Sequence, residues 1–289
     1  MIVGTRGSAL ALVQTREICD LIKSKTNFDI KERIIKTKGD KITNSQLYNM
    51  DSKGLFTKEL DNVVLNEEVD FAVHSLKDVP TDLDDELEIV AIPPREVANE
   101  VLISNRDWDD LGSGNSLGSS SLRREAFCNY YDKNFTLKPL RGNVETRIKK
   151  VLTGEVDSTI MAYAGIKRLN LEQYVNKVFP LEYIYPSAGQ GAIAVICRKD
   201  SEFKDVLVKL NDTVSYKTSL AEKNILKEIG VGCQWPIGVI SQVENDGIVL
   251  KCILLNKNGE ILHDTGLKTS LSNIMKDSSL IGKELEEYL

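Results

Sequence analysis

The chain has 289 residues, enough for roughly two to three domains with sizeable cores, so it needs no disulfide or metal staple to fold. With 42% apolar residues, 28% charged residues and seven prolines, it is neither disordered nor fibrous, and its net charge of −6 argues against a general nucleic-acid coat. No apolar run approaches the roughly 20 residues that span a bilayer, so no membrane segment is expected.

In chain order, MIVGTR reads as a short strand and Ala9 to Ser24 as an amphipathic helix with Leu12, Ile18, Leu21 and Ile22 on its apolar face. Arg6 and the shortness of the apolar run exclude a secretory signal, which makes a cytoplasmic location the expectation. Asp29 to Thr37 alternates like a strand, Phe56 to Asn66 repeats at helical spacing, and Asp70 to His74 and Glu88 to Ile92 read as buried strands, with parallel pairing expected. Pro93 and Pro94 punctuate the chain, and a second α/β series follows. It comprises strands VLIS, SLGSS, FTLKPL and STIMA, with helices at Leu122 to Tyr131 and Val144 to Leu152. After SAGQG come a strand at Ala192 to Cys197 and a helix near Phe203 to Val214. A helix at Ser219 to Ile229 then leads to strands near Val239 to Val243, Ile248 to Leu255 and Leu262 to Leu267, and to a last helix around Ile281 to Leu289. The short turns between those three strands predict an antiparallel sheet.

Of eleven arginines, seven fall between Arg95 and Arg168 and none follows Arg198. The guanidinium fork binds carboxylate or phosphate bidentately, so this clustering points to small anionic groups. Two strand-to-helix turns suit such groups: GTRGSA with Arg6, and GSSSLRRE with Ser119, Ser121, Arg123 and Arg124. Neither ends in GK[ST] nor reads GxGxxG, and capping by Ser8 or Ser121 is the structural alternative. RGNVETR places Arg141 before an Asn143 cap and Arg147 one turn into a helix, from where it can reach back to the amino end. Arg168 follows a strand in AGIKRL. HSLKDVPT ends a strand with Ser75, Lys77 and Asp78, a carboxylate beside a lysine that can position protons or a cation, while His74 reads as a satisfied core histidine.

Five cysteines and two histidines show no metal-ligand spacing, so no metal is expected. Cys19, Cys128, Cys197 and Cys252 sit in apolar periodic segments; Cys233 alone lies in a glycine-flanked turn, VGCQWPIG, between a helix and a strand. A nucleophilic thiol needs a histidine or cationic neighbour, and none is local.

GTRGSALALVQT, KGLFTKEL, HSLKDVPT, GSSSLRRE, RGNVETR, AGIKRL, SAGQGAIA and GCQWPIG occur in this order, and together they closely resemble the porphobilinogen deaminase (hydroxymethylbilane synthase) family over nearly the whole chain. The resemblance implies a transferase of haem (tetrapyrrole) biosynthesis that joins four porphobilinogen molecules head to tail, releasing ammonia each time, to give hydroxymethylbilane. It implies a dipyrromethane cofactor held by a thioether on Cys233. Asp78 would be the catalytic carboxylate, stabilising an azafulvenium cation. Lys53, Ser75, Lys77, Ser119, Ser121, Arg123, Arg124, Arg141 and Gln190 would contact cofactor, and Arg6, Arg147 and Arg168 would bind substrate carboxylates. Val231 and Trp235, beside Cys233, depart from the family's usual residues, as do Ser119 and Glu145.

The fold implied is α/β: two domains like those of type 2 periplasmic binding proteins plus a third, smaller α/β domain with an antiparallel sheet. The expected boundaries are 1–94 with 192–212, 95–191, and 213–289. A cytoplasmic anion-binding module of the same fold is the rival reading; it accounts for the arginines but not for Cys233. A nucleic-acid binder suits neither the charge nor the lack of aromatic platforms. The expected state is a monomer acting on a small molecule, without nucleic acid or membrane.

Overall fold

The computed structural model describes residues 1–37, 54, 57–230 and 235–289. The chain divides into two compact units, Met1–Glu96 with Gly191–Tyr216, and Val97–Gln190 with Lys217–Leu289. Among the described residues no helix is long and apolar enough to cross a membrane.

The first unit is built on a five-stranded sheet. Its strands are β1 (Ile2–Thr5), β2 (Lys31–Ile34), β3 (Phe71–Ser75), β4 (Leu87–Ala91) and β10 (Ile193–Arg198), in the order β2-β1-β3-β10-β4. β1 runs parallel to β2 and β3, whereas β10 runs antiparallel to both of its neighbours. Helix α1 (Ala9–Lys25) starts where Ser8 accepts a hydrogen bond from the Ala11 amide, and it buries Ile18, Cys19 and Ile22 against Val3, Phe71 and Val73. Helix α2 (Lys58–Leu65) buries Leu60 and Val64, one turn apart.

The second unit holds β5 (Glu100–Ser104), β6 (Ser116–Ser119), β7 (Thr136–Pro139), β8 (Ser158–Ala162) and β9 (Lys177–Val178), ordered β7-β6-β8-β5-β9. Here β6 is parallel to β7 and β8, and β5 is antiparallel to β8 and β9. Helices α3 (Leu122–Tyr130), α4 (Val144–Leu152) and α5 (Tyr163–Arg168) follow β6, β7 and β8. The two sheets thus share one plan. In each, a parallel trio is completed by an antiparallel strand, β10 or β5, that is the first strand after the chain enters from the other unit. Parallel pairing alone, as read from the element order, misses this strand because its partners lie far away in sequence.

The three-stranded sheet of the second unit, β11 (Ile237–Glu244), β12 (Gly247–Leu255) and β13 (Ile261–Thr269), is antiparallel as expected. β12 is covered on both faces: Leu250, Cys252 and Leu254 join a core with Ile225 and Ile281, while Ile253 and Leu255 join Trp108, Phe127 and Phe179. Trp235 packs on the first of these cores.

Two helices differ from the sequence reading. The segment expected as one helix from Phe203 to Val214 is a short helix α6 (Lys204–Leu207) with a 3-10 turn, because Asn211 Oδ1 accepts from Ile92 N (2.7 Å) and Asp212 Oδ1 from Ser215 N (2.7 Å). That cap begins the long helix α7 (Thr213–Ile229). The last helix, α8 (Ile274–Glu286), begins a full two turns before Ile281; its buried face of Ile274, Ser278, Ile281 and Leu285 includes a serine whose hydroxyl is satisfied by Met275 O.

Candidate active site

In the first unit, β1 and β3 lie side by side and parallel, so both deliver side chains at their carboxyl ends, where ligands of open α/β sheets bind. After β1, Ser8 is spent on capping α1 and leaves Arg6 at the strand end. After β3, the chain makes one turn of 3-10 helix, Leu76–Asp78, pinned by hydrogen bonds from Leu76 N to Ala192 O (3.0 Å) and from Val79 N to Leu76 O (3.1 Å). The result is one recess whose lining includes Arg6, Gln14, Thr57, His74, Ser75 and Asp78. A guanidinium and a carboxylate sharing a recess can bind an anionic substituent and, beside it, N–H donors or a positive charge.

Gln14 was not singled out by the sequence reading. It is 4% exposed; its Nε2 donates to Ser75 Oγ (3.0 Å) and its Oε1 accepts from the same hydroxyl (3.1 Å), which fixes Ser75 from both sides. The signal was available: Gln14 stands four and eight residues before Ile18 and Ile22, on the buried face of α1. Lys77 lies within the 3-10 turn. His74 is buried, as read, but not satisfied: its Nε2 has no hydrogen-bond partner among the described residues, and Oδ1 of Asp61 lies 3.6 Å away.

In the second unit, Ser119 Oγ accepts from Ser121 N (3.0 Å), and Ser121 Oγ caps α3 by accepting from Arg124 N (3.5 Å). Arg123 and Arg124, read as carboxylate binders, already meet a protein carboxylate. Glu100, wholly buried at the start of β5, accepts from Arg123 Nη2 (2.5 Å) at Oε1 and from Arg124 Nη2 (2.9 Å) at Oε2. Arg123 Nη1 also donates to Tyr185 O. Glu100 thus meets two cations at once. Arg141 Nε is buried with no hydrogen-bond partner among the described residues. Asn143 caps α4 by accepting from Thr146 N (2.9 Å), and Arg147 reaches back one turn so that its Nε donates to Gly142 O (2.9 Å), as the spacing predicts. Arg168 is the last residue of α5, where a cation complements the helix dipole. Gln190 is buried and its Nε2 donates to Ala98 O (2.7 Å). The neighbouring Gly189 N donates to Glu222 Oε2 (2.7 Å), a wholly buried carboxylate on α7 that also accepts from Ser241. Glu222 escaped the sequence reading, although it stands three and seven residues before Ile225 and Ile229 on the apolar face.

Cys233 and Lys53 lie outside the described residues. Cys19, Cys128, Cys197 and Cys252 are buried and free. Burial pushes the thiol of Cys19 up to about 11 and those of Cys128 and Cys197 up to about 12, and raises Cys252 as well, so none of the four is a ready thiolate at neutral pH.

Residues 1–205 match the family model "Porphobilinogen deaminase, dipyromethane cofactor binding domain", and residues 216–289 match "Porphobilinogen deaminase, C-terminal domain". A protein of Methanothermobacter thermautotrophicus named "Probable porphobilinogen deaminase" is 53% identical over 289 residues, covering 100% of both chains. The porphobilinogen deaminase of Helicobacter hepaticus is 40% identical over 269 residues, which is 92% of this chain and 84% of that one. Among solved structures, the methionine-binding protein MetQ aligns with 77% of this chain and 92% of its own at 11% identity, with a TM-score of 0.47. With both family models together spanning nearly every residue, and with relatives of this identity matched end to end, the chain belongs to the porphobilinogen deaminase family.

Proposed function

We propose that this chain is a hydroxymethylbilane synthase: a transferase that condenses four porphobilinogen molecules head to tail, releases ammonia at each step, and yields linear hydroxymethylbilane for haem biosynthesis. Its cofactor is dipyrromethane, which supplies the pyrrole terminus to which substrate units are joined. The residues present suit that group. Dipyrromethane brings carboxylates and pyrrole N–H donors; the chain offers guanidinium groups, among them Arg141, whose Nε is buried without a hydrogen-bond partner among the described residues, and the Asp78 carboxylate, which can accept from N–H donors.

In this reading Cys233 carries the cofactor through a thioether. Lys53, Ser75, Lys77, Ser119, Ser121, Arg123, Arg124, Arg141 and Gln190 hold it, and Arg6, Arg147 and Arg168 take the carboxylates of incoming substrate. Asp78 accepts the substrate pyrrole N–H and stabilises the positive charge left on the substrate as ammonia departs. Gln14 keeps the Ser75 hydroxyl oriented for the same recess. Arg123 and Arg124 act as a pair whose charge is partly met by Glu100, so they attract a polyanionic chain while staying fixed in place. The protein works as a cytoplasmic monomer, with no nucleic-acid partner, and its domains are 1–94 with 192–212, 95–191, and 213–289.

What supports this reading is the recess that Arg6, Ser75 and Asp78 share at the ends of two parallel strands. The test is direct. Purified protein should exceed its sequence mass by two linked pyrrole units, colour with acidic aldehyde reagent, and release ammonia from porphobilinogen. The Cys233→Ser variant should do none of these. A pyrrole adduct mapping to another cysteine, or no ammonia from a protein carrying the adduct, would overturn it.

A further inference from the structure

Asp61 and His74 belong to none of the roles assigned above. Asp61 lies on α2, and His74 on β3 immediately before Ser75, in register with Ala194 of β10. His74 Nε2 is 3.6 Å from Asp61 Oδ1, with side chains 3% and 15% exposed. That is ion-pair range but too long for a hydrogen bond, and neither atom has a hydrogen-bond partner among the described residues. A pair of buried polar atoms facing each other without a bond is costly, and a core of apolar residues would avoid the cost. Here the pair flanks a recess: His74, with Thr57 one turn before Asp61, lines the space that holds Asp78.

We propose that Asp61 and His74 share one proton beside the recess, and that Asp61 is a positioning residue which, through His74, fixes the end of β3 from which Ser75 and Asp78 project. Burial raises the Asp61 carboxyl to about 6, with the Thr57 hydroxyl opposing and Asp84 and Glu59 adding like charge. Burial, together with Arg6, lowers His74 to about 3. Among the described residues, Arg6 after β1, Glu59 on α2 and Asp84 before β4 are the charges that act on the pair, and Asp78 shares the recess with His74; Ala194 of β10 brings none. Above pH 6 the ionised carboxylate therefore faces an Nε2–H. Below it, the carboxyl takes up a proton and presents O–H to a bare Nε2, while the ring proton sits on Nδ1. The imidazole stays neutral on both sides of the change.

The catalytic half of this inference rests on the proposed activity; the protonation half does not. With only two histidines in the chain, nitrogen-15 NMR of histidine-labelled holoprotein resolves both rings, and His263→Gln identifies the other signal. His74 should remain neutral between pH 8 and 5, with Nε2 changing from N–H to bare nitrogen at a midpoint of about 6, and this change should vanish in Asp61→Asn. A raised carboxyl loses folding stability as pH rises from the ordinary carboxylate range through its folded value, so at pH 8 Asp61→Asn should melt at the same or a higher temperature. Its kcat should nonetheless fall about tenfold with KM nearly unchanged, and Asp61→Glu should recover part of it. An imidazolium signal from His74 in this range, a tautomer change indifferent to Asp61→Asn, or wild-type kcat in Asp61→Asn would each overturn the proposal. Absence of deaminase activity in the wild type would instead count against the proposed function and leave the NMR result to decide the pair.

Discussion

Arg123 Nη2 lies 2.5 Å from Oε1 of Glu100, and the two side chains are 7% and 0% exposed. An arginine proposed to hold the cofactor is thereby also a structural partner of a buried carboxylate. Removing one partner of such a pair leaves an uncompensated charge and typically costs about 3–5 kcal/mol. Because Arg124 still donates to both oxygens, Arg123→Leu should fall near the low end, about 3 kcal/mol. The loss should appear equally in a Cys233→Ser background, where no cofactor can be attached. Denaturant unfolding of both pairs of proteins checks this, and a destabilisation confined to holoprotein would assign Arg123 to the ligand alone.

Asp78 presents the opposite case. It sits at the mouth of a pinned 3-10 turn whose backbone bonds do not involve its side chain. Asp78→Asn should therefore melt within a few degrees of the wild type while kcat drops by about a hundredfold or more, because the amide preserves shape and removes the charge proposed to stabilise the cationic substrate. Steady-state ammonia release alongside calorimetry measures both quantities; near-normal turnover would remove Asp78 from the chemistry.

At the β12–β13 turn, Gly259 adopts φ +90°, and a Cβ there would collide with the backbone of Asn129 and Tyr130 at the end of α3. Asn129 Nδ2 donates to Lys257 O (2.9 Å) across the same contact, so the turn is seated on the helix that carries Arg123 and Arg124. Gly259→Ala combines a conformation unsuited to side chains with a backbone clash, and a loss of about 2 kcal/mol or more is expected. Exchange of the α3 amides, measured by hydrogen–deuterium mass spectrometry, should accelerate in this variant.

Asp157 gives a pH dependence of defined sign. Ser116 donates to Asp157 Oδ2 from both its amide and its hydroxyl (2.7 Å each), and these bonds hold the carboxyl below the usual carboxylate range. A depressed folded value means stability that is complete above the unfolded value and lost as pH falls through the folded one. Ser116→Ala removes the hydroxyl's share, so the stability gap between wild type and variant should be widest near neutrality and narrow below about pH 4. Thermal melts across this range are the check, and a gap independent of pH would assign it to packing.

Much of this was legible in the chain because it depends on neighbours. Ser8, Ser121 and Asn143 announce helix starts three residues ahead of the amides they cap, and the nearly unbroken apolar run of Ile248 to Leu255 suits a strand covered on both faces. The motif order, from GTRGSA to GCQWPIG, carries the family whatever the fold does with it. Only the tertiary structure decided what depends on distant partners. β10 enters antiparallel between β3 and β4, more than a hundred residues after them, and the two-residue strand Lys177–Val178 exists only because β5 offers it an edge. Glu100 looks like the polar residue before an apolar run until Arg123 and Arg124 close on it from α3, and Asp61 looks like an ordinary surface acid of a helix until His74 faces it from the strand beneath. Periodicity shows which face of an element is buried; it cannot show which charge will be waiting there, because that pairing is made across the fold and has no period.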